Sequence, residues 1–233
     1  MHSLAYLTIP MSVNTNHTFT MATVHIPSSL QTDAMQPALR FAMEKHRGVF
    51  RKNEKALPYV THPIGVAERI VLAGGGTLSI LQAALLHDTI EDTKTTYEEI
   101  VEAFGKETAD IVREVTDDRS LSKVDRKRAQ IEKAKKMSHA AKLVKLADKL
   151  DNLTDLAEDQ PKQWTAEQCQ GYFVWAMTVV EQMRGTCKLL EKQLDRLAKR
   201  DFIYKKTDQS YPCIPKEARE DMEAAVEHYY TIC

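Results

Sequence analysis

The run that begins at Leu78 is nearly all apolar and ends in His87-Asp88-Thr89-Ile90-Glu91-Asp92. At helical offsets, His87, Asp88 and Glu91 share one side of the chain. A His-Asp pair alone is as readily a buried imidazole held by its neighbouring acid as a metal ligand pair. A second segment adds weight. In Leu143 to Asn152 and just beyond, Lys145, Asp148, Asn152 and Asp155 recur on one helical stripe while the leucines point elsewhere, so that stripe is free to face a site. With His62 upstream, the chain holds two imidazoles and two carboxylates: His62, His87, Asp88 and Asp148. That donor set suits Mn²⁺, Fe²⁺ or Zn²⁺ with positions left for water, and its mixed character argues against a closed structural site.

These groups need elements to position them. Apolar residues recur at helical spacing from about Pro37 through Leu39, Met43 and His46, and Gly48 is placed to end that helix. Val49 to Thr61 is polar and basic with Pro58 inside it, which predicts a loop carrying Arg51 and Lys52. Pro63 suits a first helical position, so His62 is expected at the entrance of a helix that stops at Gly74-Gly75-Gly76. Leu78 onward reads as a buried helix. Thr95-Thr96-Tyr97-Glu98 predicts a capped helix through Phe104, closed by Gly105. Further helices are expected to about Val115, within Arg119 to Lys136, and over Ala140 to Leu156. A long one follows Thr165, with a bend or close contact at Gly171 and Gly185, and an amphipathic one spans Glu217 to Tyr230. No strand pattern longer than a few residues stands out. The fold class is all-α.

Composition narrows the rest. In 233 residues, 32 Lys plus Arg balance 33 Asp plus Glu, so no global field points to nucleic acid or an anionic membrane. The eight basic residues from Arg119 to Lys136 lack interleaved aromatics and read as a solvated helix face, with Lys123 the exception best placed for phosphates. Gly and Pro total only 16, roughly 7% where about 12% is usual, which favours helices. No uninterrupted apolar stretch approaches the ~18 residues of a membrane span. Four scattered cysteines without a C-x-x-C pair fit a reducing compartment, hence a cytoplasmic protein. The first 32 residues contain no Lys, Arg, Asp or Glu and are expected to be a disordered leader. A domain over 33–200 and an extension over 201–233 complete the expected organisation.

Four segments carry a resemblance: Tyr59 to Ala67 (YVTHPIGVA), Ala84 to Thr93 (ALLHDTIEDT), Val115 to Asp118 (VTDD) and Lys142 to Leu150 (KLVKLADKL). Together they resemble the HD-domain metal-dependent phosphohydrolases, and more narrowly the hydrolase domain of RelA/SpoT proteins in its small, metazoan form. The resemblance covers roughly residues 35–200. It implies a single helical HD domain, Mn²⁺ as the metal, and removal of pyrophosphate from the 3′ position of guanosine tetra- and pentaphosphate. Members of the metazoan type are also linked to removal of the 2′-phosphate of NADPH, an alternative reading for the same site; an inactive nucleotide-binding regulatory module ranks lower. Elementary chemistry agrees with hydrolysis, with Glu91 and Asp92 just past the ligands to orient or deprotonate the attacking water. By the same resemblance Arg51 and Lys52 contact the base or phosphates, Lys123 the phosphates, Asn152 the ribose or phosphate, and Tyr172 the nucleotide. One departure is Asp151, where an aromatic residue is expected before Asn152; it bears on substrate contacts rather than on metal binding.

Overall fold

Few breakers leave most of the chain free to be helical, and helices dominate the described residues, 5–13 and 19–233 of the computed structural model. The elements fall into two groups, each with its own core. The first joins the chain up to Arg51 with Lys55–Thr116; the second joins Lys52–Glu54 with Asp117–Cys233.

The first group opens with a departure. Part of the expected leader, residues 1–4 and 14–18, lies outside the described residues. Within the same segment, where no strand pattern stood out, β1 (Ala5–Val13) and β2 (Phe19–Ile26) pair antiparallel, and a single 3-10 turn (Ser28–Leu30) follows. The reason is local. The segment holds several Thr together with Val, Ile, Tyr and Phe, residues that favour a pleated backbone. Then come α1 (Gln36–Lys45), α2 (Thr61–Leu72), α3 (Leu78–Leu86), the one-turn α4 (Thr89–Asp92), α5 (Tyr97–Phe104) and α6 (Lys106–Val115). Helix α3 packs against α1, α2 and α6, which is why its sequence is apolar all round; Ala83, Ala84, Leu85 and Leu86 are completely buried.

Two boundaries differ from expectation. Helix α2 starts at Thr61, so Pro63 sits third rather than first. The first-turn N–H groups have no helical acceptor, so proline is tolerated there too. His62 is therefore held inside the first turn rather than at its edge. The cap of α5 is Thr96, whose hydroxyl accepts from the Glu99 amide, while Thr95 is buried and bonds Thr93 instead.

The second group contains α7 (Lys123–Lys136), α8 (His139–Glu158), α9 (Ala166–Glu181), α10 (Lys188–Ala198), β3 (Asp201–Tyr204), β4 (Gln209–Pro212), α11 (Lys216–Glu220) and α12 (Met222–Ile232). Helix α9 lies against α7, α8, α10 and α12 and opens with the expected Thr165/Gln168 capping box. It ends at Glu181 rather than bending. Gly185, with φ of +85°, turns the chain into α10. The single terminal helix expected over Glu217 to Tyr230 is two, because Asp221 leaves the helical region and caps α12 by accepting from the Ala224 amide. Strands β3 and β4 form a second unforeseen hairpin, with Phe202 and Tyr204 buried. The all-α class is thus met in both groups, with two hairpins added. No helix among the described residues is long and apolar enough to cross a membrane.

Gly171 is a close contact, as its sequence position suggested. A Cβ there would lie 2.4 Å from the Tyr229 ring on α12. Gly171→Ala is expected to push α12 outward and lower stability by about 1–3 kcal/mol, the usual range for overpacking a filled core. Thermal unfolding measures this, and an unchanged Tm would show that α12 yields freely.

Candidate metal centre and its surroundings

Within the first group, α2 supplies His62, the α3 terminus supplies His87, and the following residue is Asp88. Both histidines are buried, with exposures of 3% and 2%. The His87 Nδ1 lies 2.9 Å from the Ala84 carbonyl oxygen. A carbonyl only accepts, so Nδ1 carries a hydrogen, which leaves Nε2 as the ring atom a metal would take. Asp88 Oδ2 stands 3.0 Å from that Nε2 and 3.7 Å from His62 Nε2. The two imidazole rings meet edge to face at 5.1 Å. Two imidazole nitrogens and a carboxylate oxygen therefore converge on one locality. Tyr59 donates its hydroxyl to the same Oδ2 at 2.5 Å.

Within the second group, Asp148 is 5% exposed on α8. Its Oδ2 lies 3.5 Å from Lys145 Nζ and 3.7 Å from Lys149 Nζ, and its Oδ1 accepts from Asn152 Nδ2 at 2.6 Å. Two buried lysines thus face the Asp148 carboxylate from its own helix. On the stripe expected along this helix, Lys145 and Asn152 both bond Asp148. Asp155 accepts from Asn53 Nδ2 at 3.1 Å through both oxygens, tying the short piece that bears Lys52 to α8.

His62 and His87 in the first group and Asp148 in the second are all buried, and each offers one ligand atom of a kind that holds a metal ion. This donor set is of the kind that binds a divalent transition metal. Asp88, the fourth expected ligand, is half-buried, with its Oδ2 facing both imidazoles.

The remaining expected residues divide by environment. Glu91 is half-buried and Asp92 exposed, both in the single turn of α4 that follows Asp88. Arg51 is half-buried, its guanidinium 5.9 Å from the centre of the Tyr59 ring. Lys52 is exposed. Lys123 opens α7 and is exposed. Tyr172 is half-buried between Trp164 and Trp175. Asp151 is half-buried on α8.

The basic run is mostly exposed or partly exposed, as expected, but Lys127 is the exception within it. Its ammonium is buried among Trp175, Tyr172 and Tyr229, 3.6, 4.9 and 4.8 Å from their ring centres. Burial, then the nearby Lys149 charge, holds its pKa well below the usual lysine value. Sequence reasoning singled out neither Lys127 nor the pairing of Lys149 with Asp148. Tyr59 was visible only as part of a motif. No periodicity marks Lys127 or Tyr59, because their partners are distant in sequence, and the burial that sets the Lys149–Asp148 pair apart comes from packing.

The HD-domain family pattern matches residues 38–177. The chain is 52% identical over 161 residues to guanosine-3′,5′-bis(diphosphate) 3′-pyrophosphohydrolase MESH1 of Xenopus tropicalis, covering 69% of this chain and 90% of that protein. It is 49% identical over 163 residues to MESH1 of Homo sapiens, covering 70% and 91%. Among solved structures, a metazoan ortholog of SpoT that hydrolyses ppGpp is 47% identical, with a TM-score of 0.69, over 71% of this chain and 94% of the other.

Proposed function

The chain belongs to the HD-domain family, and on that premise we propose that it is a metal-dependent guanosine-3′,5′-bis(diphosphate) 3′-pyrophosphohydrolase with Mn²⁺ as its metal. The observation that carries the reading is the convergence of His62 Nε2 and His87 Nε2 on Asp88 Oδ2, in a chain about half identical to such hydrolases over nine-tenths of their length. In this reading His62, His87, Asp88 and Asp148 hold the ion. A divalent ion there supplies Lewis-acid stabilisation of the phosphoryl charge and acidifies a water molecule. The hydrolase domain spans residues 33–200, with the 201–233 extension outside it.

The chain's own groups do the remaining work. Glu91 orients the attacking water and takes its proton, and Asp92, one residue on, supports it from the open side. Arg51, Lys52 and Lys123 neutralise phosphate charge, which grows on the oxygens as the bond from phosphorus to the ribose 3′ oxygen breaks. Tyr172 stacks against the nucleotide. Asn152 donates one amide hydrogen to Asp148 and offers its remaining polar atoms to the ribose or phosphate. The products are pyrophosphate and GDP or GTP. The protein's partner is a small nucleotide, with nucleic acid and membrane not required.

Protein loaded with Mn²⁺ and given guanosine tetraphosphate is expected to release pyrophosphate stoichiometrically with GDP. No release in the presence of Mn²⁺ would overturn the reading. The same preparation given NADPH measures the competing 2′-phosphatase activity, and the ratio of the two kcat/KM values ranks the substrates.

A further inference from the structure

The loop between α1 and α2 is closed more tightly than its polar composition suggests. Tyr59 N–H donates to Val49 O at 2.8 Å and Arg51 N–H donates to Leu57 O at 2.9 Å, with Phe50 and Pro58 bridged between them. This small hairpin fixes where the Tyr59 side chain starts. One face of the ring meets His46, the residue after α1, at 4.8 Å, and His62 lies edge-on to it at 5.9 Å. His46 is 3% exposed, and neither of its ring nitrogens has a hydrogen-bond partner among the described residues. Burial pushes its pKa down to about 4, so at neutral pH it is an uncharged plate packed on the tyrosine. A buried polar ring with no hydrogen bond is unusual in a native core. The Tyr59 ring packs directly against it.

The hydroxyl at the far end of the Tyr59 ring donates to Asp88 Oδ2, the oxygen that faces both imidazoles. An aspartate carboxylate turns easily about its side-chain bonds, so a fixed donor on that oxygen selects one orientation. Ligating carboxylates elsewhere depend on such outer partners.

We propose that Tyr59 is a positioning residue: its hydroxyl sets the Asp88 carboxylate toward the two histidines, and the buried His46 ring fixes the plane of Tyr59. The proposal rests on the metal-centre reading above. It adds that the closed 49–59 hairpin, which also carries Arg51, reaches the metal centre through the Tyr59 phenol.

Tyr59→Phe keeps the ring and its packing on His46 but removes the donor. Titration with Mn²⁺ by calorimetry is expected to give a Kd weaker by about 10–100-fold than wild type. The kcat deficit should be largely rescued by excess Mn²⁺, with circular dichroism unchanged. His46→Ala, which removes the plate but leaves the hydroxyl, is expected to weaken Mn²⁺ binding in the same direction by a smaller factor. If Tyr59→Phe lowers Tm but binds Mn²⁺ as wild type does, the residue is merely structural and the proposal is overturned. If wild type itself takes up no Mn²⁺, the metal-centre reading falls and the positioning role falls with it. A normal wild type beside a normal Tyr59→Phe overturns the positioning role alone.

Discussion

His62→Ala is expected to abolish metal uptake and pyrophosphate release together. Loss of an outer-shell partner typically costs about 10–100-fold in metal affinity or activity, and removing a ligand atom itself costs more. His62 is 3% exposed in the first turn of α2, so a cavity of imidazole size remains and no other side chain of that turn replaces the nitrogen. Metal analysis of the purified variant and a pyrophosphate assay check both halves. Asp148 is expected to behave alike, but the variant must be chosen with care. Asp148→Ala removes the carboxylate that Lys145 and Lys149 both face in a buried setting, and breaking such an arrangement costs about 3–5 kcal/mol of stability on its own. Asp148→Asn preserves volume and an oxygen for Asn152, so lost metal in that variant reports ligation rather than unfolding. Full metal content in His62→Ala would remove that residue from the ligand set.

Glu91→Ala is expected to separate binding from turnover. Glu91 stands outside the His/His/Asp group, in the one-turn helix that follows Asp88, so metal content should match wild type. Its proposed role is to handle the proton of the attacking water, and a positioned general base contributes roughly 10²–10⁴-fold. The expected result is therefore a kcat reduced by about that factor with little change in KM, the pattern of an interaction made chiefly in the transition state. Asp92→Ala should lose less, since Asp92 is exposed at the end of the same turn. Wild-type turnover in Glu91→Ala would show that the base lies elsewhere.

The ligand candidates were legible because metal chemistry restricts residue types so strongly. His87-Asp88 ends an apolar run where a polar pair has a cost, and Asp148 lies on a stripe that the leucines leave open. The substrate-facing residues were legible only through resemblance, since a lysine that meets phosphate and one that meets solvent look the same in sequence. Lys127 illustrates the difficulty: it sits in a run read as solvated, yet three aromatic rings from α9 and α12 bury it. The end of α9 at Glu181 and the break at Asp221 escaped notice because helix ends depend on weak local preferences that a single cap or turn decides. Strand pairing in the two hairpins escaped it too, because short strands gain their stability from a partner rather than from their own residues.

By itself the sequence determined the helical class, through scarce breakers and apolar residues at helical spacing, and it determined the donor types available to a metal. Those properties are local: each depends on residue identity and on neighbours a few positions away. Only the tertiary structure decided that Tyr59 reaches Asp88 across 29 residues, that Asn53 and Asp155 meet across 102, and that Lys145 and Lys149 face Asp148 out of water. Hydrogen bonds and ion pairs of this kind take their strength from burial and exact placement, and neither exists until distant segments have packed.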